Sequence, residues 1–150
     1  MERTSWEQLL NRAIAKEQEA FSNYQALAKW VNDPGGKQML SELAQEEKSH
    51  REILEGWKQG KMKGGLSSSL PDSGLLAEGR DFKVDKDLTP QEAVRLAIRE
   101  EERAFSFYQD LSRGLEEGEV KKLAERLAAE EKRHRSRLEA LLGSQVLQEM

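Results

Sequence analysis

Apolar residues recur at alternating spacings of three and four over four long stretches, the pattern of helices that each bury one stripe. In the first stretch the stripe reads Leu10, Ala13, Glu17, Ala20, Tyr24, Leu27 and Val31. In the second it reads Leu40, Leu43, Glu47, His50, Leu54 and Trp57. The third gives Val94, Ala97, Glu101, Ala104, Tyr108, Leu111 and Leu115, and the fourth gives Ala124, Leu127, Glu131, His134, Leu138 and Leu141. Each stripe is apolar except near its middle, where ionisable groups stand.

Local signals set the expected limits. The first helix should start near Thr4 or Ser5, where Ser5 and Gln8 resemble a capping box, and run to about Val31. Asn32-Asp33-Pro34-Gly35-Gly36 then reads as its stop, with a second helix from about Lys37 to Gln59. Thr89, Pro90 and Glu92 combine a cap, a first-turn proline and a closing glutamate, so the third helix should begin there and end near Gly114. The fourth should run from about Glu117 to Leu142 and stop at Gly143.

Between Gly60 and Leu88 the composition becomes loop-like, with Gly64-Gly65-Leu66-Ser67-Ser68-Ser69 and Pro71-Asp72-Ser73-Gly74. So long a connection is unusual within a compact domain unless it travels the length of a bundle. A helix of about 25 residues is roughly 37 Å long. The chain is therefore expected to be one all-α domain over residues 1–150: a hairpin at 4–59, a crossover at 60–88, a second hairpin at 89–142 and a short tail at 143–150. Two hairpins joined by one long crossover make a ferritin-like four-helix bundle.

The two halves repeat each other at an offset of 84 residues. Glu17 maps onto Glu101, Tyr24 onto Tyr108, Glu47 onto Glu131 and His50 onto His134, and these are the only two histidines. A buried Glu, a Tyr and a Glu-x-x-His, each used twice, is the inventory of a two-metal site within such a bundle. A Glu and a His three apart share a helix face, so both can reach one pair of ions. Six ionisable groups cannot be buried without partners, and no Lys or Arg lies on the stripes to neutralise them. Four carboxylates, two neutral imidazoles and two divalent ions balance. Carboxylate and imidazole suit iron, manganese or zinc.

The same register sets Glu46 and Glu130 one residue off the stripes, facing outward or sideways, and Glu19, Glu100 and Glu102 miss them too. Tyr24 and Tyr108 lie two turns beyond Glu17 and Glu101 on the same face, where their hydroxyls can bond ligand carboxylates. Ala20 and Ala104 leave room for the cluster. Phe21, Phe105, Ile98 and Trp57 read as core. Trp6 and Trp30 carry no site pattern, and the sequence leaves open whether they cover the bundle ends or serve an interface.

Composition narrows the partners. Charged residues make up 35% of the chain and the formal net charge is -4, with both signs interspersed. A nucleic-acid binder would normally show a basic face. No apolar run is long enough to span a membrane, and Met1-Glu2-Arg3 leads into helical sequence with no signal-peptide pattern, so the cytoplasm is the default expectation. The absence of cysteine excludes disulfides, thiolate metal sites and thiol catalysis.

On these residues the chain resembles the rubrerythrin-like branch of the ferritin-like superfamily. The matching segments are Ala13 to Ala28, Leu40 to Leu54, Ala97 to Leu111 and Leu123 to Leu138. The resemblance implies a non-haem centre of two iron ions that reacts with hydrogen peroxide or oxygen. Glu17, Glu47, His50, Glu101, Glu131 and His134 are its implied ligands. Two departures stand out. Rubrerythrins proper carry an extra ligand Glu where this chain has Ala104, so the set is the symmetric one of four Glu and two His, similar to the ferroxidase centre of bacterioferritins. They also carry a four-cysteine rubredoxin domain that delivers electrons; here an external electron-transfer protein is implied. A haem site as in bacterioferritins is unsupported, because Lys48 stands where that family has its haem-ligating Met. A ferroxidase using the same site and a non-catalytic helical interaction module are the competing functions. The sequence leaves a homodimer open.

Overall fold

Two of the helices open on the same pair of residue roles. Asp33 caps the second and Thr89 the third, and each is followed by a proline whose missing N–H would have found no partner in the first turn anyway. The computed structural model describes residues 6–60, 83–85 and 87–144. It contains four helices: α1 (Trp6–Trp30), α2 (Pro34–Lys58), α3 (Pro90–Gly114) and α4 (Glu119–Gly143). The expected capping box at Thr89 is present in full, with the Thr89 hydroxyl accepting from the Glu92 N–H and the Glu92 carboxylate accepting from the Thr89 N–H.

The start of α2 differs from the sequence expectation. Pro34, Gly35 and Gly36 form its first turn instead of a loop before Lys37. The Asp33 carboxylate accepts from the Gly36 N–H at 2.8 Å, which is the N-cap geometry, and it outweighs the loop character of Pro-Gly-Gly. Gly36 is also needed for packing: a Cβ there would lie 2.7 Å from Val31 Cγ1. α4 starts two residues later than expected, at Glu119. The expected cap at Ser5, the Gly/Ser part of the crossover and most of the tail fall outside the described residues.

α1 packs along α2 and α3 along α4, so each hairpin is a closely contacting pair. Between hairpins, α1 faces α3 and α2 faces α4 over a sparser contact. This is an all-α four-helix bundle of two hairpins joined by a crossover. Where the crossover approaches α3, Val84 is buried and donates its N–H to Asn23 Oδ1 on α1 at 2.9 Å.

The apolar stripes form two separate clusters. One gathers Leu10, Leu54, Trp57, Tyr108, Leu111, Leu115 and Leu127. The other gathers Tyr24, Leu27, Val31, Leu40, Leu43, Val94 and Leu138. Trp57 is core as expected, and Trp6 stacks on it with ring centroids 6.2 Å apart. Trp30, Phe21 and Ile98 flank the second cluster and Phe105 the first, all only partly buried. Between the clusters lies one layer of ionisable side chains. Among the described residues, no helix is long and apolar enough to cross a membrane.

Candidate metal centre

That middle layer holds Glu17 from α1, Glu47 and His50 from α2, Glu101 from α3, and Glu131 and His134 from α4, all buried. They form two overlapping groups. Glu17, Glu47, His50 and Glu131 make one, and Glu47, Glu101, Glu131 and His134 the other, each with ligand atoms within 4.8 Å of one another. Glu47 and Glu131 belong to both. The repeat seen in the sequence is thus a twofold-like arrangement in space, with two shared carboxylates between two unshared Glu–His pairs.

Both imidazoles turn Nδ1 inward. His50 Nδ1 lies 3.2 Å from Glu47 Oε1, 3.4 Å from Glu131 Oε1 and 3.6 Å from Glu17 Oε2. His134 Nδ1 lies 3.1 Å from Glu47 Oε1, 3.2 Å from Glu131 Oε1 and 3.7 Å from Glu101 Oε1. The rings are nearly parallel, at 8°, with centroids 5.9 Å apart. Ligand atoms that share one tetrahedral ion at about 2.0–2.2 Å stand roughly 3.3–3.6 Å apart, so this spacing fits ligation.

Polar satisfaction points the same way. Each of the six residues contributes at least one buried atom with no hydrogen-bond partner: Glu17 Oε2, Glu47 Oε1, His50 Nδ1, Glu101 Oε2, Glu131 Oε1 and both nitrogens of His134, of which Nδ1 faces inward. Orphaned buried polar atoms are rare, and a whole layer of them turned into one space needs a ligand. Divalent ions match both the atoms and the charge. The cluster is capable of binding a dinuclear metal site.

Without ions the layer redistributes protons. Burial, then the negative charge of Glu131, pushes Glu17 up and Glu101 up to about 8. Burial, then the charges of Glu101, Glu131 and Glu17, pushes Glu47 far up. Glu131 is the exception: burial would raise it, but the close approach of His134 and His50 more than offsets that, and it is held low. Burial opposes the charged form of both imidazoles, yet the surrounding carboxylates outweigh it and raise both strongly. Protons occupy the place that cations would take.

Tyr24 and Tyr108 do bond carboxylates of this layer, and they do so across the bundle. Tyr24 on α1 donates to Glu101 Oε1 on α3, and Tyr108 on α3 donates to Glu17 Oε1 on α1. Burial, then the charge of the carboxylate each one bonds, raises both phenols well above their usual range, so they stay protonated donors.

Glu46 and Glu130 stand outside both groups of four, as their place beside the stripes predicts. They do sit sideways, each leaning across to the histidine of the opposite hairpin. Glu130 Oε1 lies 3.1 Å from His50 Nε2, and Glu46 Oε1 lies 3.5 Å from His134 Nε2. The helix position was read correctly; what it missed was that a residue beside the stripe reaches the facing helix. A carboxylate behind a ligating imidazole fixes its orientation and tautomer. Asn23, buried and bonded to the crossover, was also missed; the one signal for it is that its counterpart in the repeat is Phe107.

A cavity of about 50 Å³ opens between α1 and α3 onto the layer. Ala20 and Ala104 line it beside Glu17, Glu101, Tyr24 and Tyr108, so these small residues do make room at the cluster. Lys16, Glu19, Glu100 and Arg103 stand at it too, with Lys16 Nζ 3.7 Å from Glu100 Oε2 and Arg103 Nη1 3.0 Å from Glu100 Oε1. One water needs about 10–15 Å³ measured in this way, so the space suits a molecule of very few atoms.

Comparison with known proteins adds family context. A family model described as Rubrerythrin matches residues 8–71 and 92–149. No curated protein gives a significant match. Among solved structures, a hypothetical protein from Pyrococcus furiosus is similar at 29% identity and a TM-score of 0.76, covering 92% of this chain and 88% of that one. A candidate ferritin-like diiron-carboxylate protein from Thermotoga maritima is similar in fold, at 24% identity and a TM-score of 0.70, with 95% of this chain and 97% of that one covered.

Proposed function

The chain belongs to the rubrerythrin family, and from that premise we propose that it is a non-haem di-iron oxidoreductase that reduces hydrogen peroxide or oxygen. The observation that carries this reading is the set of six unpartnered buried atoms, one from each of Glu17, Glu47, His50, Glu101, Glu131 and His134. Glu17 and His50 would hold one ion and Glu101 and His134 the other, with Glu47 and Glu131 available to both. Iron is the ion of choice because carboxylate and imidazole suit it and the chemistry is redox. Manganese or zinc can fill the same ligand set, but zinc carries no electrons.

Held by these six residues, a pair of ferrous ions would supply the two electrons that, with two protons, reduce one hydrogen peroxide to two waters. The chain's own residues do the rest. Ala20 and Ala104 keep the approach open to a small oxidant. Tyr24 and Tyr108 fix one oxygen of Glu101 and Glu17, which leaves the other free to swing toward an ion. The apolar clusters on both sides of the layer keep bulk water away. Turnover would need an electron donor, and these 150 residues hold no cysteine from which a rubredoxin-type centre could be built.

The test starts from metal-free protein loaded with ferrous iron under anaerobic conditions. Two ions per chain, oxidised faster by peroxide than by oxygen and without further iron uptake, is the expected result. Continued uptake of iron after oxidation would mark a ferroxidase. Failure to bind two ions would overturn the reading.

A further inference from the structure

Behind the two imidazoles the twofold likeness breaks down. On the His50 side, Glu130 divides its oxygens: Oε1 faces His50 Nε2 at 3.1 Å, and Oε2 accepts from Arg126 Nε at 2.9 Å. On the His134 side, one oxygen serves both partners. Arg133 Nη2 donates to Glu46 Oε1 at 3.1 Å, and this same oxygen stands 3.5 Å from His134 Nε2. Arg137 lies 3.6 Å from the other oxygen of Glu46. His134 Nε2 is buried and makes no hydrogen bond, although the ring is fully enclosed.

The difference matters for ligation. An imidazole that gives its Nδ1 lone pair to an ion carries its proton on Nε2. A carboxylate that accepts this proton orients the ring and raises its basicity. Glu130 does so for His50 with an oxygen of its own. Glu46 is drawn off by a guanidinium, a stronger partner than a neutral N–H. The tyrosine bonds do not restore the balance, because Glu17 and Glu101 each receive one.

We infer that the two ion positions are inequivalent: the Glu17–His50 position fills first and more tightly, because Glu130 is free to hold His50 while Arg133 competes with His134 for Glu46. Glu130 and Arg133 are positioning residues that act through the histidines. This rests on the dinuclear reading of the layer and deepens it.

The test is an anaerobic titration of the metal-free protein with Co²⁺, read by ion stoichiometry and by visible absorption. Two phases in the native protein are expected but do not decide, because two equal positions that repel each other also fill in two phases. The variants decide. Glu130→Gln should weaken the first phase, by about 10–100-fold if it acts like other outer partners of ligating histidines. Glu46→Gln should leave the first phase alone and barely move the second, since its bond is already lost to Arg133. Arg133→Gln should tighten the second phase alone. Superimposable titrations of Glu130→Gln and Glu46→Gln, or an unmoved second phase in Arg133→Gln, would overturn the inference while two bound ions kept the dinuclear reading intact. Fewer than two Co²⁺ ions in the native protein would overturn both. General loosening of the fold would shift both phases together in every variant, and that outcome also counts against it.

Discussion

Tyr108 on α3 donates its phenolic hydrogen to Glu17 Oε1 on α1 at 2.6 Å, and both side chains are buried. The bond ties a core tyrosine of one hairpin to a candidate ligand of the other. Tyr24 and Glu101 repeat it in reverse. In Tyr108→Phe and Tyr24→Phe the carboxylate oxygen loses its donor but keeps its place. Two ions should still bind, with affinity or oxidation rate changed by about 10–100-fold. Equilibrium metal titration and stopped-flow oxidation check this; native values in both variants would reduce the tyrosines to packing.

The shared and unshared carboxylates should separate by stoichiometry. Glu47 and Glu131 belong to both ligand groups, whereas Glu17 and Glu101 belong to one each. Glu47→Ala or Glu131→Ala should abolish stable binding of both ions. Glu17→Ala or Glu101→Ala should leave about one ion per chain. Metal analysis after gel filtration reads the result directly.

Proton binding by the metal-free layer makes its stability depend on pH. Burial pushes Glu101 from its ordinary 4.5 up to about 8 in the folded protein, and Glu17 and Glu47 are raised too. A carboxyl raised by folding holds more protons folded than unfolded, so stability falls as pH climbs from the unfolded value through the folded one. The histidines act in the same direction above their ordinary value of 6.5, because the carboxylates around them raise both in the folded protein. The metal-free protein should therefore lose stability steadily from about pH 4.5 to 8 and beyond. The metal-loaded form should not, since ions replace the protons and bind better as pH rises. Thermal unfolding of both forms between pH 5 and 8 should show a gap that widens with pH; parallel curves would contradict it.

Small side chains at the approach to the layer should control access. Ala104→Leu fills space between α1 and α3 beside Glu101 and Tyr108. Ions should remain bound while the reaction with peroxide slows. Any overpacking cost, about 1–3 kcal/mol, will appear in urea unfolding and can be accounted for separately. An undiminished rate would place the entry elsewhere.

Asp33 offers a check on the fold away from the layer. Its carboxylate caps α2. Asp33→Ala should cost about 0.5–2 kcal/mol in denaturant unfolding with the metal content unchanged.

Most of the fold was legible because the stripes are long and regular. Four helices and the placement of Glu17, Glu47, His50, Glu101, Glu131 and His134 in one layer follow from a spacing of three and four, and the Thr89 cap follows from Pro90 and Glu92 behind it. A helical register says which residues face inward, and that is enough when the groups meet on the bundle axis. It does not say what a side chain beside the stripe reaches. Glu46 and Glu130 were set aside for that reason, since their partners lie on the facing helix of the other hairpin. Tyr24 and Tyr108 were placed on the right face, but the carboxylate each one bonds belongs to the opposite hairpin. At Pro34-Gly35-Gly36 composition misled: glycine and proline suggested a loop, while a single aspartate ahead of them was enough to start a helix.

The sharing of Glu47 and Glu131 also has a consequence in time. Neither group of four draws all its members from one hairpin: the first needs Glu131 from α4, and the second needs Glu47 from α2. Local helix pairs form before distant segments meet, and a chain leaving the ribosome presents its N-terminal part first. Glu17, Glu47 and His50 are thus synthesised before Glu131 exists, and until then neither group of four is complete. The full ligand set of each group comes into being only at the docking of the two halves.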